Sequence, residues 1–119
     1  MREITKTITL PVGEENLNFR LTKLDAFAGA RLLKTLSHAE TGDLWQLLLS
    51  LPDYELESMM RVCLRYAEAM LPAGPILVLS GSGWGIPDLE HDAWTCLKLT
   101  AEVIAWTLEG FFPESGSPS

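Results

Sequence analysis

The residues best suited to chemistry lie in the second half of the chain. Leu77-Val78-Leu79-Ser80-Gly81-Ser82-Gly83-Trp84-Gly85 has the outline of a strand running into a phosphate-binding glycine loop. In such a loop the glycines let backbone N–H groups approach a phosphate, and the N-terminus of the next helix completes the cradle. The dinucleotide fingerprint breaks at Ile86, and no strand-helix-strand unit surrounds it. The next helix would open with Asp88, Glu90 and Asp92, so its N–H groups already face three carboxylates. A flexible loop without a nucleotide is expected, with Trp84 either covering the core or offered to a partner.

Asp88, Glu90, His91 and Asp92 also have the chemistry of a metal cluster, and on a helix Asp88, His91 and Asp92 would share one face. A structural site usually takes ligands from a second element, which only His38 and Glu40 could supply. A solvated acidic first turn, favoured by the helix dipole, accounts for the same residues. No metal and no cofactor are therefore expected. Cys63 sits in an apolar stripe where burial raises a thiol's pKa, and neither histidine is placed near Ser80, Ser82 or Cys96. No catalytic residue is assigned. The remaining candidates are aromatic: Trp84, Trp94, Trp106, Phe111 and Phe112 are of the types that dominate protein interfaces, and they cluster towards the C-terminus.

The elements that would carry these side chains follow from periodicity. Ile4, Lys6, Ile8 and Leu10 alternate with Thr5, Thr7 and Thr9, and Leu17, Phe19 and Leu21 alternate with Asn18, Arg20 and Thr22. Period two in β-branched and aromatic residues predicts an antiparallel hairpin across a loop at residues 11–16. Thr22 and Asp25 stand three apart, as an N-cap and an N3 carboxylate would, ahead of a helix over residues 26–39. Asp43 is the expected cap of a short second helix. Leu56, Met59, Met60, Cys63, Leu64, Ala67, Met70 and Leu71 repeat at helical spacing and predict a third helix over residues 53–71, with Glu57 and Arg61 as an i,i+4 pair. The methionines of that stripe read as core. Prolines and glycines break periodicity over residues 72–87, where only residues 76–79 suit a strand. A last helix over residues 88–112 is apolar almost all round, more than a small domain covers easily, which predicts that part of it meets another chain. The expected fold is thus α+β, mainly α with a short N-terminal β-hairpin: a single domain over residues 1–112 with four helices, comprising the hairpin (1–24) and a helical body (25–112) with a Gly/Pro loop at 72–87, then a disordered tail (113–119).

Composition narrows the class of partner. The 119 residues carry 9 Lys and Arg against 16 Asp and Glu, a net charge of -7. Eight of the basic residues precede residue 66, so residues 66–119 hold Lys98 against seven carboxylates. Such a chain is repelled by phosphate backbones and anionic lipid, which points away from nucleic acid and membrane and towards a protein partner. Two cysteines in apolar stripes, without a Cys-rich framework, suit a reducing compartment. The opening Met1-Arg2-Glu3-Ile4-Thr5-Lys6 lacks the apolar run of a secretory signal, so a cytoplasmic location is expected.

The order of these features resembles a known family. A β-rich start (Ile4-Thr-Lys-Thr-Ile-Thr-Leu-Pro, then Leu17-Asn-Phe-Arg-Leu-Thr-Lys-Leu) leads into Asp25-Ala-Phe-Ala-Gly-Ala-Arg-Leu-Leu-Lys-Thr-Leu. An acidic body follows, closing on Val103-Ile-Ala-Trp-Thr-Leu-Glu-Gly-Phe-Phe and a polar tail. In layout this resembles the tail assembly chaperones of long-tailed bacteriophages and prophages. The resemblance covers nearly the whole chain and rests on texture, since the family carries no invariant catalytic motif. It implies a non-enzymatic protein of the host bacterial cytoplasm that coats and solubilises the tape measure protein, helps recruit tail tube subunits, homo-oligomerises, and is in many members also made as a longer frameshifted form. The segment from Gly81 to Gly85 is not part of that pattern. The alternatives are a structural tail-completion or connector protein and a nucleotide- or metal-using enzyme built on residues 81–92.

Overall fold

The computed structural model describes residues 4–37, 43–81 and 83–109. The hairpin forms as the alternation predicts, with β1 (Thr5–Val12) and β2 (Glu15–Thr22) antiparallel and joined by the two-residue turn Gly13-Glu14, tighter than the loop expected over residues 11–16. Ile8, Leu10 and Val12 share a face with Leu17, Phe19 and Leu21. That face is the inner one, since Phe19 and Leu21 are fully buried.

The fold is nevertheless not mainly helical. It is α+β, with strands well beyond the N-terminal hairpin: β3 (Ala67–Leu71) and β4 (Gly74–Leu77) extend the hairpin into a four-stranded antiparallel sheet of order β1-β2-β3-β4. A two-stranded ribbon, β5 (Leu79–Ser80) and β6 (Gly83–Trp84), follows. The helix expected to run to residue 71 stops early, because α3 spans Asp53–Leu64 and the next residues turn. Ala67 and Ala69 alternate inward and are fully buried, while Glu68 points outward beside Arg20. Alanine, glutamate, methionine and leucine all favour helix, so tertiary pairing with β2 and β4 overrides local propensity here. Across the sheet the inner row reads Ile8, Phe19, Ala69, Ile76, and the outer row reads Thr7, Arg20, Glu68, Leu77.

Tyr66 holds the corner between α3 and β3. Its N–H donates to the Cys63 carbonyl at 2.9 Å, and its own carbonyl accepts from the Thr22 N–H at 2.9 Å. Its hydroxyl reaches the Asp25 carboxylate at 3.0 Å. The other oxygen of Asp25 accepts from the Ala28 N–H at 2.8 Å, so Asp25 itself is the N-cap of α1 (Ala26–Leu36), in place of the Thr22 cap expected from spacing. These bonds to the charged carboxylate hold its pKa below the ordinary 3.8, the Ala28 N–H contributing most and the Tyr66 hydroxyl next. Asp43 caps α2 (Leu44–Ser50) as predicted, and Glu57 and Arg61 pair at 2.8 Å.

The last helix is also shorter than expected. A 3-10 turn over Pro87–His91 comes first, and α4 runs from Ala93 to Leu108, capped by Asp92. It lies across the inner face of β1 and β2 and against α3. Its 16 residues find cover on both sides, with Cys96, Leu99, Ala101, Val103 and Ile104 buried. Among the described residues of the segment 88–112, the large apolar side chain left exposed is that of Trp94. Three buried threonines interrupt the apolar surface, each with a partner. The Thr95 hydroxyl donates to Asp92 at 2.8 Å, that of Thr100 to the Cys96 carbonyl at 2.8 Å, and that of Thr107 accepts from the Leu24 N–H at 3.1 Å. Among the described residues, no helix is long and apolar enough to cross a membrane.

Candidate functional site

The glycine loop has a structural explanation. Gly83 opens β6 at φ +118°, a region open to glycine but strained for other residues. Gly85 N–H donates to the Val78 carbonyl at 3.0 Å, which draws the backbone so close that a Cβ at position 85 would overlap the Leu77 carbonyl oxygen. Both glycines are thus required to fold the ribbon onto β4. Ile86 is buried, so the position that breaks the dinucleotide fingerprint is a core contact.

The acidic residues expected at the start of the last helix are divided between two elements. Asp88, Glu90 and His91 lie in the 3-10 turn, and Asp92 spends its carboxylate on Thr95, accepting from both its N–H and its hydroxyl. No group of three His, Cys, Asp or Glu side chains suited to a metal exists among the described residues. His38 and Glu40 lie outside the described residues. Both thiols are buried, and burial pushes Cys63 up to about 12 and Cys96 to about 11. The Cys96 thiol also faces the Leu89 carbonyl at 3.2 Å, and the nearby Asp92 charge adds to its shift.

The aromatic candidates separate into three environments, and Phe111 and Phe112 lie outside the described residues. Trp106 is half-buried and acts as a clasp. Its indole N–H donates to the Ile4 carbonyl at 3.1 Å, while the ammonium groups of Lys23 and Lys6 stand 4.5 and 5.6 Å from its ring centre. It therefore ties the start of β1 to α4. Trp84 is half-buried in the wall of a groove between α3 and the ribbon, with Leu56, Met60, Leu64 and Leu79 and, at the rim, Asp53, Glu57 and Arg61. That groove has a volume of about 370 Å³, against about 140 Å³ for a second one between α1 and α3. Met60 lines the wall of this opening while remaining packed against the core, so its place in the stripe is at the core's margin.

Trp94 is different. It is 68% exposed in the first turn of α4 and stacks on Trp45 from α2, with ring centres 5.1 Å apart and planes 10° from parallel. Trp45 and Leu49 stand four apart and so share one face of α2, and Leu49 is 62% exposed. Sequence reasoning singled out Trp94 but missed Trp45. The available signal was the pattern of α2, in which Leu44, Leu47, Leu48 and Leu51 suffice for the buried face and leave Trp45 and Leu49 over. Phe27, at the start of α1, and Tyr54, at the start of α3, are also exposed. The arrangement presents an aromatic and aliphatic ledge at the meeting of α2 and α4, a surface suited to packing against another protein. No protein family, curated protein or solved structure matches this chain.

Proposed function

We propose that this chain is a non-enzymatic tail assembly chaperone that binds and solubilises the tape measure protein and helps recruit tail tube subunits in the host bacterial cytoplasm. The observation that carries the reading is the Trp45–Trp94 stack: a chain of net charge -7 holds a tryptophan 68% exposed on a second aromatic ring. Exposed apolar surface rimmed by charge suits the capture of an apolar client while the complex stays soluble. The layout of the sequence supplies the rest of the reading, including self-association and a longer frameshifted form.

Coexpression with a tape measure protein tests it. The expected result is a client that is insoluble alone, soluble with this chain, and copurified with it. A client equally insoluble in both cases, or this chain retained in finished tails as a stoichiometric component, would overturn the reading.

A further inference from the structure

The charge around the Trp45–Trp94 ledge identifies its occupant more closely, on the basis of the protein-binding reading above. Asp43 caps α2, its carboxylate accepting from the Trp45 N–H at 3.0 Å, and Asp92 caps α4 two residues before Trp94. Asp88 and Glu90 are exposed in the turn leading into that cap. The basic residues nearest Trp94 in sequence are Lys98, one helical turn beyond it and 3.7 Å from Glu102, and the exposed His91. The ledge is therefore flanked in sequence by four carboxylates, and the lysine nearest to Trp94 in sequence is directed to Glu102.

We propose that this ledge binds a basic amphipathic helix of a partner protein, whose apolar stripe lies on Trp94, Trp45 and Leu49 while Lys or Arg side chains reach the carboxylates of residues 88–92. Tryptophan faces also attract guanidinium and ammonium groups, so a cation crossing Trp94 adds to the apolar contact. An acidic helix of the same apolar pattern is repelled by the same carboxylates.

The probe is a labelled peptide with leucines at i, i+3, i+4 and i+7 and lysines elsewhere, compared with its glutamate counterpart by fluorescence anisotropy on the full chain. The lysine peptide binds and the glutamate peptide does not. Trp94→Ala weakens binding by about tenfold or more, as expected for an anchor residue. Asp88→Asn with Glu90→Gln, which leaves both helix caps intact, weakens it severalfold and flattens its dependence on salt. Unchanged thermal unfolding of these variants establishes that they are folded. Equal binding of the two peptides, binding indifferent to Trp94→Ala, or loss on Trp84→Ala instead would each overturn the proposal. A lysine peptide that binds at Trp94 while the tape measure protein stays insoluble defeats the chaperone reading and leaves the ledge. A solubilised client indifferent to Trp94→Ala does the reverse.

Discussion

The outer face of the sheet and the corner where α2 meets α4 are both open to solvent, yet they sort residues in opposite ways. On the sheet, Thr5, Thr7, Thr9, Asn18 and the Arg20–Glu68 pair take most of the solvent side, and Phe19, Leu21, Ala67 and Ala69 are hidden behind them. At the corner, Trp94 and Leu49 stand in water although polar residues would cost the fold little there. Small size does not explain this, because the same short chain buries Cys96, Leu99, Val103 and Ile104 of α4. Phe27, Tyr54 and Ile4 are exposed elsewhere, but at this corner the exposed ring stacks on a second indole, and an exposed aromatic patch marks contact with something outside the chain.

Substitutions on the two sides of this contrast should separate stability from binding. Phe19→Ala, at the centre of the sheet's buried face, should cost about 3–5 kcal/mol of unfolding free energy, measured by urea titration. Gly85→Ala should cost about 1–3 kcal/mol, since the backbone must shift to clear the Leu77 carbonyl; a wild-type midpoint would disprove the close approach there.

Asp25→Ala removes the α1 cap and the Tyr66 contact together and should lower the denaturation midpoint at neutral pH. Because the folded carboxyl titrates below its ordinary 3.8, the contribution of its charge is complete above that value. It is lost as the pH falls through the lower, folded value, so the gap between wild type and variant should narrow below about pH 4. A gap that widens in acid would contradict the geometry.

Arg20→Ala breaks a half-exposed ion pair and should cost only about 0.5 kcal/mol, less at high salt. Trp94→Ala should change stability least, by about 0.5 kcal/mol or less, while losing partner binding. A large loss of stability at Trp94 would return the ledge to the core and dissolve the contrast. As a check that the thiols belong to the hidden side, Cys63 and Cys96 should resist alkylation at pH 8 until the protein is unfolded, since their pKa values stand near 12 and 11.

What was legible in the chain depended on whether one period dominated a window. Residues 4–10 and 17–22 alternate with period two, apart from Lys6 on the apolar face, so the hairpin could be read with its inner face. Glu57 with Arg61, and Asp43 as a cap, are contacts within one turn of helix and were equally readable. Residues 67–71 were misread because Ala67, Met70 and Leu71 extend the helical series of α3 while Ala67, Ala69 and Leu71 also fit a strand. Five residues do not discriminate between the two. The Pro72 to Pro75 segment behind them favoured a turn between strands, a signal outweighed by helix-forming composition. At the site, Trp94 was visible as an aromatic in an apolar helix, but its stacking on Trp45 joins residues 49 apart and had no local trace.

Local chemistry thus decided the hairpin, the helix caps, the acidic balance and the burial of both cysteines, because each depends on neighbours within a few residues or on composition alone. The tertiary structure decided that residues 67–71 are a strand, that Gly85 serves a backbone crossing, and that Trp106 clasps β1 while Trp94 faces solvent. Those outcomes depend on which distant surfaces meet. Two tryptophans in the same apolar helix differ in role because one lies under the lysines of the hairpin and the other lies beside α2.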